Sequence, residues 1–283
     1  MPRRFLLVAN RTTIHIYSTS TSLLTRSIKP QIDFTTRRNA RIITYCLSPT
    51  DPELVWVACS DGAIYCINWT SGAGADQYWS ISSTGCIHMT VASMESAGRR
   101  RDVVFTTEVK KDGDWRITAN ELAPPGGAIQ TGARTIYTST HKVNFLTTAN
   151  EGSVIVAASG NRVLLGVLRN TEYDSIDKIR YEFRVFESAD FISSLDIKVS
   201  ARPGMENKKS KKRLPIVDVV VGDVKGAIFI HDDLWANLVG ELGAPSVSIL
   251  PRKLHWHRQG VHTVKYSSDG MYAPQLRYTA NVI

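Results

Sequence analysis

The chain has 283 residues, 43% hydrophobic and 21% charged, with a formal net charge of +8 at pH 7. That length can bury a sizeable core, in one large domain or two small ones, and the composition excludes disordered, collagen-like and disulfide-scaffold chains. No apolar run reaches the roughly 18 residues of a membrane-spanning helix, and "FLLVA" is too short for a signal-peptide core, so an intracellular protein is expected.

In chain order the segments are short, rich in Val, Ile, Thr and aromatic residues, and separated by Gly, Asn, Asp or Ser, which is the signature of β-strands. "FLLVAN", "TTIHIYS" and "SLLTRSI" (5–10, 12–18, 22–28) read as three strands. "ARIITYCLSP", "ELVWVACSDG", "AIYCINW" and "QYWSIS" (40–49, 53–62, 63–69, 77–82) read as four more. The pattern recurs in "CIHMTVASM", "RDVVFTTEV", "WRITANEL" and "ARTIYTS", then in "KVNFLTTAN", "SVIVAASG", "NRVLLGVLR" and "YEFRVFES". A last unit comprises "FISSLDIKVS", "PIVDVVVGD", "GAIFIHDDL", an expected short helix around "LWANLVGEL", and "RKLHWH". Four strands every roughly 45 to 65 residues indicate an all-β fold of the β-propeller type, each unit being one blade.

Cys46, Cys59, Cys66 and Cys86 sit in apolar runs without any CxxC pair. That pattern suits buried thiols in a reducing compartment better than a disulfide framework or a zinc cage. The basic surplus is uneven. "KKSKKR" (Lys208, Lys209, Lys211, Lys212 and Arg213) lies in a stretch with almost no apolar residue, and "RRR" spans Arg99 to Arg101. Clustered positive charge attracts polyanions or a nuclear-import receptor; the plainer reading is a pair of solvated loop tips.

The best-formed unit, "ARIITYCLSPTDPELVWVACSDGAIYCINW", resembles the WD40 repeat in its strand ending "LSP", its "SDG" hairpin and its third strand ending in Trp69. Asp61, Gly62 and Asp223 fall in hairpins, where an aspartate can bond turn amides and glycine supplies a positive φ. Near the end, "LHWHRQGVHTVKYSSDG" reads as another repeat start, with His257 as the repeat histidine, then Asp269 and Gly270. From roughly Pro215 to Tyr272 the chain is similar to the tandem-propeller WD-repeat subunits of the t-UTP (UtpA) subcomplex of the small-subunit processome. The resemblance implies a non-catalytic scaffold of the nucleus and nucleolus, acting in ribosome biogenesis, pre-rRNA transcription and small-subunit rRNA processing. The implied partners are other UtpA subunits, the 5′ external transcribed spacer of pre-rRNA and the processome's box C/D snoRNP. A WD-repeat adaptor of ubiquitin-ligase or trafficking machinery, without RNA binding, is the alternative.

These readings divide the chain into an incomplete propeller over 1–272, about five blades plus one strand of the seven expected, a basic inserted loop at 201–214, and an atypical tail at 273–283. The loss of repeat pattern in that tail reads as a truncated or mis-spliced product. No catalytic, cofactor or metal site is expected. His255, His257 and His262 fall within eight residues but read as strand and structural positions. No GxSxG, HExxH or phosphate loop occurs in the sequence.

Overall fold

The central strands are runs of β-branched and aromatic residues covered on both faces. The computed structural model describes residues 5–31, 40–81, 85–96, 98–110, 112–123, 132–149, 151–169, 175–200, 216–234, 251–255 and 259–266. Five sheets arise, each with its strands side by side in chain order. Sheet one holds β1 (Phe5–Ala9), β2 (Ile14–Ser18) and β3 (Leu24–Ile28); sheet two holds β4 (Ile42–Leu47), β5 (Leu54–Cys59), β6 (Ala63–Asn68) and β7 (Trp79–Ser80). Sheet three holds β8 (Cys86–Ser96), β9 (Arg99–Val109), β10 (Trp115–Glu121) and β11 (Gly132–Ser139). Sheet four holds β12 (Val143–Ala149), β13 (Val154–Ser159), β14 (Arg162–Leu168) and β15 (Tyr181–Glu187). Sheet five holds β16 (Ile192–Ser200), β17 (Ile216–Asp223), β18 (Ala227–His231) and β19 (Arg252–His255). One 3-10 turn, Ile176–Lys178, is capped by the Ser175 hydroxyl.

The chain forms two compact units, Met1–Lys142 with Leu168–Tyr181, and Val143–Val167 with Glu182–Ile283. In the first unit, side chains of β5 and β6 alternate between two cores. Val55, Val57, Cys59, Ala63, Tyr65 and Ile67 meet Ile14, Ile16 and Ile28 of sheet one. Trp56, Ala58, Ile64 and Cys66 meet Cys86, Met89 and Val104 of sheet three. A strand covered on both faces reads as an unbroken apolar run, as "LVWVAC" does. In the second unit Val154, Val156, Ala158 and Leu165 of sheet four pack on Val217, Val219 and Val221 of sheet five.

The first strand of every four-stranded sheet carries one extra residue against the second strand, at Ile43, Ile87, Asn144 and Ser193. A bulge at one recurring place bends and twists each first strand alike. Ile42 and Ile192, one residue before two of these bulges, donate their backbone N–H to Arg11 and Gly160 in the hairpin of the preceding sheet, at 2.7 and 2.9 Å.

Several expectations need correction or limits. "QYWSIS" yields only the two-residue β7, because its ladder covers just Ala63↔Ser80 and Ile64↔Trp79. "RRR" is not a loop tip: Arg99, Arg100 and Arg101 open strand β9 and pair with Ser96, Glu95 and Met94. The expected first strand of a sixth unit, Val261–Tyr266, has no ladder among the described residues. It occupies a first strand's seat nonetheless. Val261 donates its N–H to the Asp223 carbonyl at 2.9 Å, as Ile42 and Ile192 do to their hairpins, and Val261 and Val264 are buried against Val220, Ile228 and Ile230. The expected helix at "LWANLVGEL" lies, beyond Leu234, outside the described residues. No helix among the described residues is long and apolar enough to cross a membrane.

Candidate functional site

The two hairpins that drew attention in the sequence share a backbone and differ in how they are satisfied. Gly62 and Gly226 have φ +86° and +89°, and each donates its N–H to the carbonyl three residues back, Cys59 or Asp223, at 3.0 and 3.3 Å. Only glycine adopts that conformation without strain. Asp61 accepts a long bond, 3.3 Å, from the Ala63 amide. Asp223 is 1% exposed, and its Oδ1 accepts from the amides of Lys225 and Ala227 at 2.9 and 2.8 Å. The two aspartates are therefore not equivalent. On the shared Gly-Ala-Ile frame Asp223 stands where sheet two has Cys59, and the ladder pairs Ile42↔Cys59 and Ile192↔Asp223 agree.

Trp69 follows the end of β6. Its Nε1 donates to the Pro52 carbonyl at 2.8 Å and its ring meets Phe5 at 5.2 Å, so it locks the β4–β5 turn from one side. His257, Asp269, Gly270 and the run Lys208, Lys209, Lys211, Lys212 and Arg213 lie outside the described residues. The chain ends around the basic run are placed: Ser200 pairs with Ile216, so 201–215 is an insertion between the first and second strands of sheet five. His255 closes β19, and His262 is exposed beside buried Val261. Among the described residues no group of three or more His, Cys, Asp or Glu is placed to hold a metal ion.

Polar residues that sequence reasoning passed over sit inside sheet three. Asp102, 8% exposed, accepts from Trp56 Nε1 through Oδ2 and from the Thr50 hydroxyl through Oδ1, both at 2.7 Å. It ties β9 to the "LSPTD" turn of sheet two. Glu108 is fully buried; Arg116 donates to its Oε2 from Nε and from its terminal nitrogen at 3.0 and 2.7 Å, and the Thr106 hydroxyl donates to Oε1 at 3.0 Å. Asn120 donates in turn to Thr106 and to the Val104 carbonyl, each at 3.1 Å. Burying a carboxylate costs several kcal/mol unless its oxygens are satisfied, and here both oxygens of each acid are taken. The signal was present in "RDVVFTTEV", an acid at each end of an apolar strand.

One cluster mimics a catalytic triad. His15 bonds Ser27 Oγ through Nδ1 at 2.9 Å and Asn10 Nδ2 through Nε2 at 3.1 Å. Asn10 Oδ1 already accepts from the Thr12 and Thr13 amides, so its Nδ2 must be the donor and Nε2 the acceptor. In neutral imidazole Nδ1 then carries the proton and donates to Ser27. The serine is not activated as a nucleophile by this histidine, which would have to accept its proton.

Burial favours the neutral form of three thiols and two histidines. Burial pushes the Cys46 thiol up to about 11, and Cys66 and Cys86 up to about 12, so these thiols resist forming thiolate. Burial lowers His88 to about 4, with Lys142 adding to the effect, and lowers His231 to about 4 although Asp232 opposes it. His231 packs against Phe186, the ring centroids 4.3 Å apart and the planes tilted by 48°.

Compared with family models and with curated proteins, the chain matches none. What the arrangement offers chemically is therefore read from the residues alone: sheets whose buried acids Asp102 and Glu108 are paired, exposed arginines at the start of strand β9, and a basic sequence inserted between the first two strands of sheet five.

Proposed function

We propose that the chain is a WD40-type β-propeller scaffold of ribosome biogenesis, in which the five sheets are blades and the basic insertion at 201–215 contacts pre-rRNA. Sheets of consecutive strands, four of the five with a first-strand bulge and two with Asp- and Gly-containing hairpins, support the propeller reading. The processome assignment rests on the resemblance read in the sequence from roughly Pro215 to Tyr272. The observation that carries the RNA reading is the place of "KKSKKR". A segment with four Lys and one Arg interrupts a first-to-second strand connection that takes only Ala97 and Gly98 in sheet three. A 15-residue connection between paired strands is long for a compact domain. Lys and Arg on such an arm neutralise backbone phosphates and release counterions, giving salt-dependent, sequence-independent affinity. The role is that of a non-catalytic scaffold: blades hold partner subunits while the arm holds RNA.

The test is purification of the tagged protein with recovery of crosslinked RNA. Pre-rRNA and other WD-repeat subunits should co-purify, and deletion of residues 208–213 should reduce RNA recovery about tenfold or more at physiological salt. Recovery of neither pre-rRNA nor such subunits overturns the assignment.

A further inference from the structure

The Ile42 amide donates to Arg11, in the hairpin between β1 and β2. Those of Ile192 and Val261 donate to Gly160 and Asp223, in hairpins between the second and third strands of their sheets. By that correspondence β1, β2 and β3 fill the second, third and fourth places of a four-stranded sheet. Among the described residues no strand lies beside β1 in the first place. Its edge there lacks the usual defences against strand addition. Among the described residues every other edge strand carries a charge, a bulge or only two residues. Charges stand at Arg26, Arg134, Glu182, Asp196 and Arg252, bulges mark β4, β8 and β12, and β7 is the two-residue strand. Strand β1 is "FLLVA", uncharged and paired with β2 in unbroken register.

The backbone of β1 is aimed for a partner on that side. Asn10 donates its N–H to the Thr13 carbonyl across the turn at 2.9 Å. Bonded pairs alternate along an antiparallel ladder, so Val8 and Leu6 bond to β2 while the amide and carbonyl of Leu7 face the open edge. The Leu7 carbonyl accordingly accepts the Tyr45 hydroxyl, at 2.6 Å, and keeps a second acceptor position. Leu6 and Val8 are 54% and 42% exposed and offer apolar neighbours to an added strand. The strands that fill the first place elsewhere show what it takes. Each opens on a buried apolar residue with another apolar residue three positions on, as in Ile42 and Tyr45, or Ile192 and Leu195.

We propose that the β1 edge docks an extended segment of a partner protein, added to sheet one as an antiparallel first strand with apolar residues three positions apart. The proposal rests on the scaffold reading above and gives it a binding surface. Main-chain bonds to the edge supply affinity, and alternate side chains supply selectivity. Nucleic acid has no matching row of amides and carbonyls, so the partner is a polypeptide.

The probe is a labelled synthetic peptide, GVHTVKY, the sequence of residues 260–266, which has the required spacing. Its binding to the full chain is followed by fluorescence polarisation and by amide hydrogen exchange. Exchange at Leu7 should slow on binding, while that at Val8, already bonded to β2, should not change. Leu7→Pro removes an amide that β2 does not use, and should weaken binding about tenfold with an unchanged circular dichroism spectrum. Methylating the peptide amides along one of its edges should weaken binding as much with the protein unaltered, and along the other edge should not. Absence of binding, or binding that survives both changes, overturns the proposal. Exchange at Leu7 already slow without peptide also overturns it: at every dilution, the chain's own segment holds the edge, and only in concentrated protein, a second copy does. Peptide binding with recovery of neither pre-rRNA nor WD-repeat subunits supports the docking edge and overturns only the processome assignment.

Discussion

The hairpins of sheets two and five solve one backbone problem with different side chains. Each joins its second and third strands through three residues, each places glycine at a φ near +90°, and each makes the same amide-to-carbonyl bond across the turn. In sheet two the residue that opens the turn is Cys59, buried against Ile14 and Ile42, and Asp61 within the turn accepts a long bond from the Ala63 amide. In sheet five that residue is Asp223, and two short bonds from its carboxylate knit the turn from within. The lesson is that the turn conformation belongs to glycine, whereas its rigidity depends on what the preceding strand position carries into the interior.

The comparison breaks most sharply at Asp223. Asp223→Ala strips acceptors from two amides, one of them buried, and should cost about 3 kcal/mol in urea denaturation, with amide exchange at Lys225 and Ala227 accelerated first. Asp223→Asn keeps an acceptor and should retain most of that stability.

Sheet five also carries an acid sensitivity that sheet two, without any histidine, lacks. His231 has a folded pKa of about 4 against an ordinary value near 6.5. The unfolded chain takes up a proton between those values and the folded chain does not. Stability is thus complete above about pH 6.5 and lost progressively as pH falls toward 4, by roughly 3 kcal/mol in all. His231→Leu should flatten that part of the stability profile measured by denaturation at pH 4.5 and 7.

Gly62→Ala and Gly226→Ala should each destabilise by about 1 kcal/mol, and equally, since both reflect only the positive φ. Unequal losses would show that side-chain support feeds back on turn strain. The smallest effect should come from Asp61→Ala, about 0.5 kcal/mol, since its bond to the Ala63 amide is long and part-buried. A loss as large as that of Asp223→Ala would erase the distinction drawn between the hairpins.

Much of the secondary structure was legible in the residues. The strands expected from "LVWVAC", "VIVAAS" and "IVDVVVGD" form with nearly the boundaries read, and so does their grouping by fours, because apolar runs broken by Gly, Asn and Asp leave few other ways to bury both faces. The candidate site was legible only as charge. That "KKSKKR" interrupts a strand pair follows from the order of segments, while "RRR", weighed as a polyanion contact or a solvated tip, is strand, since three arginines say nothing about whether the partner strand is long enough to pair with them.

What the sequence by itself determined is the all-β class, the strand order and the residues that turn hairpins, all of which are set by local periodicity and by the φ preferences of glycine. Only the tertiary structure decided the rest. The extra residue at Ile43, Ile87, Asn144 and Ser193 is visible only when a second strand lies alongside. The burial of Asp102 and Glu108 depends on Trp56, Thr50 and Arg116 arriving from other strands to satisfy them. The seating of Val261 depends on the Asp223 carbonyl of a finished hairpin. A residue's own neighbours in sequence set which way its side chain points, but the free energy of pointing it there is supplied by partners distant in the chain.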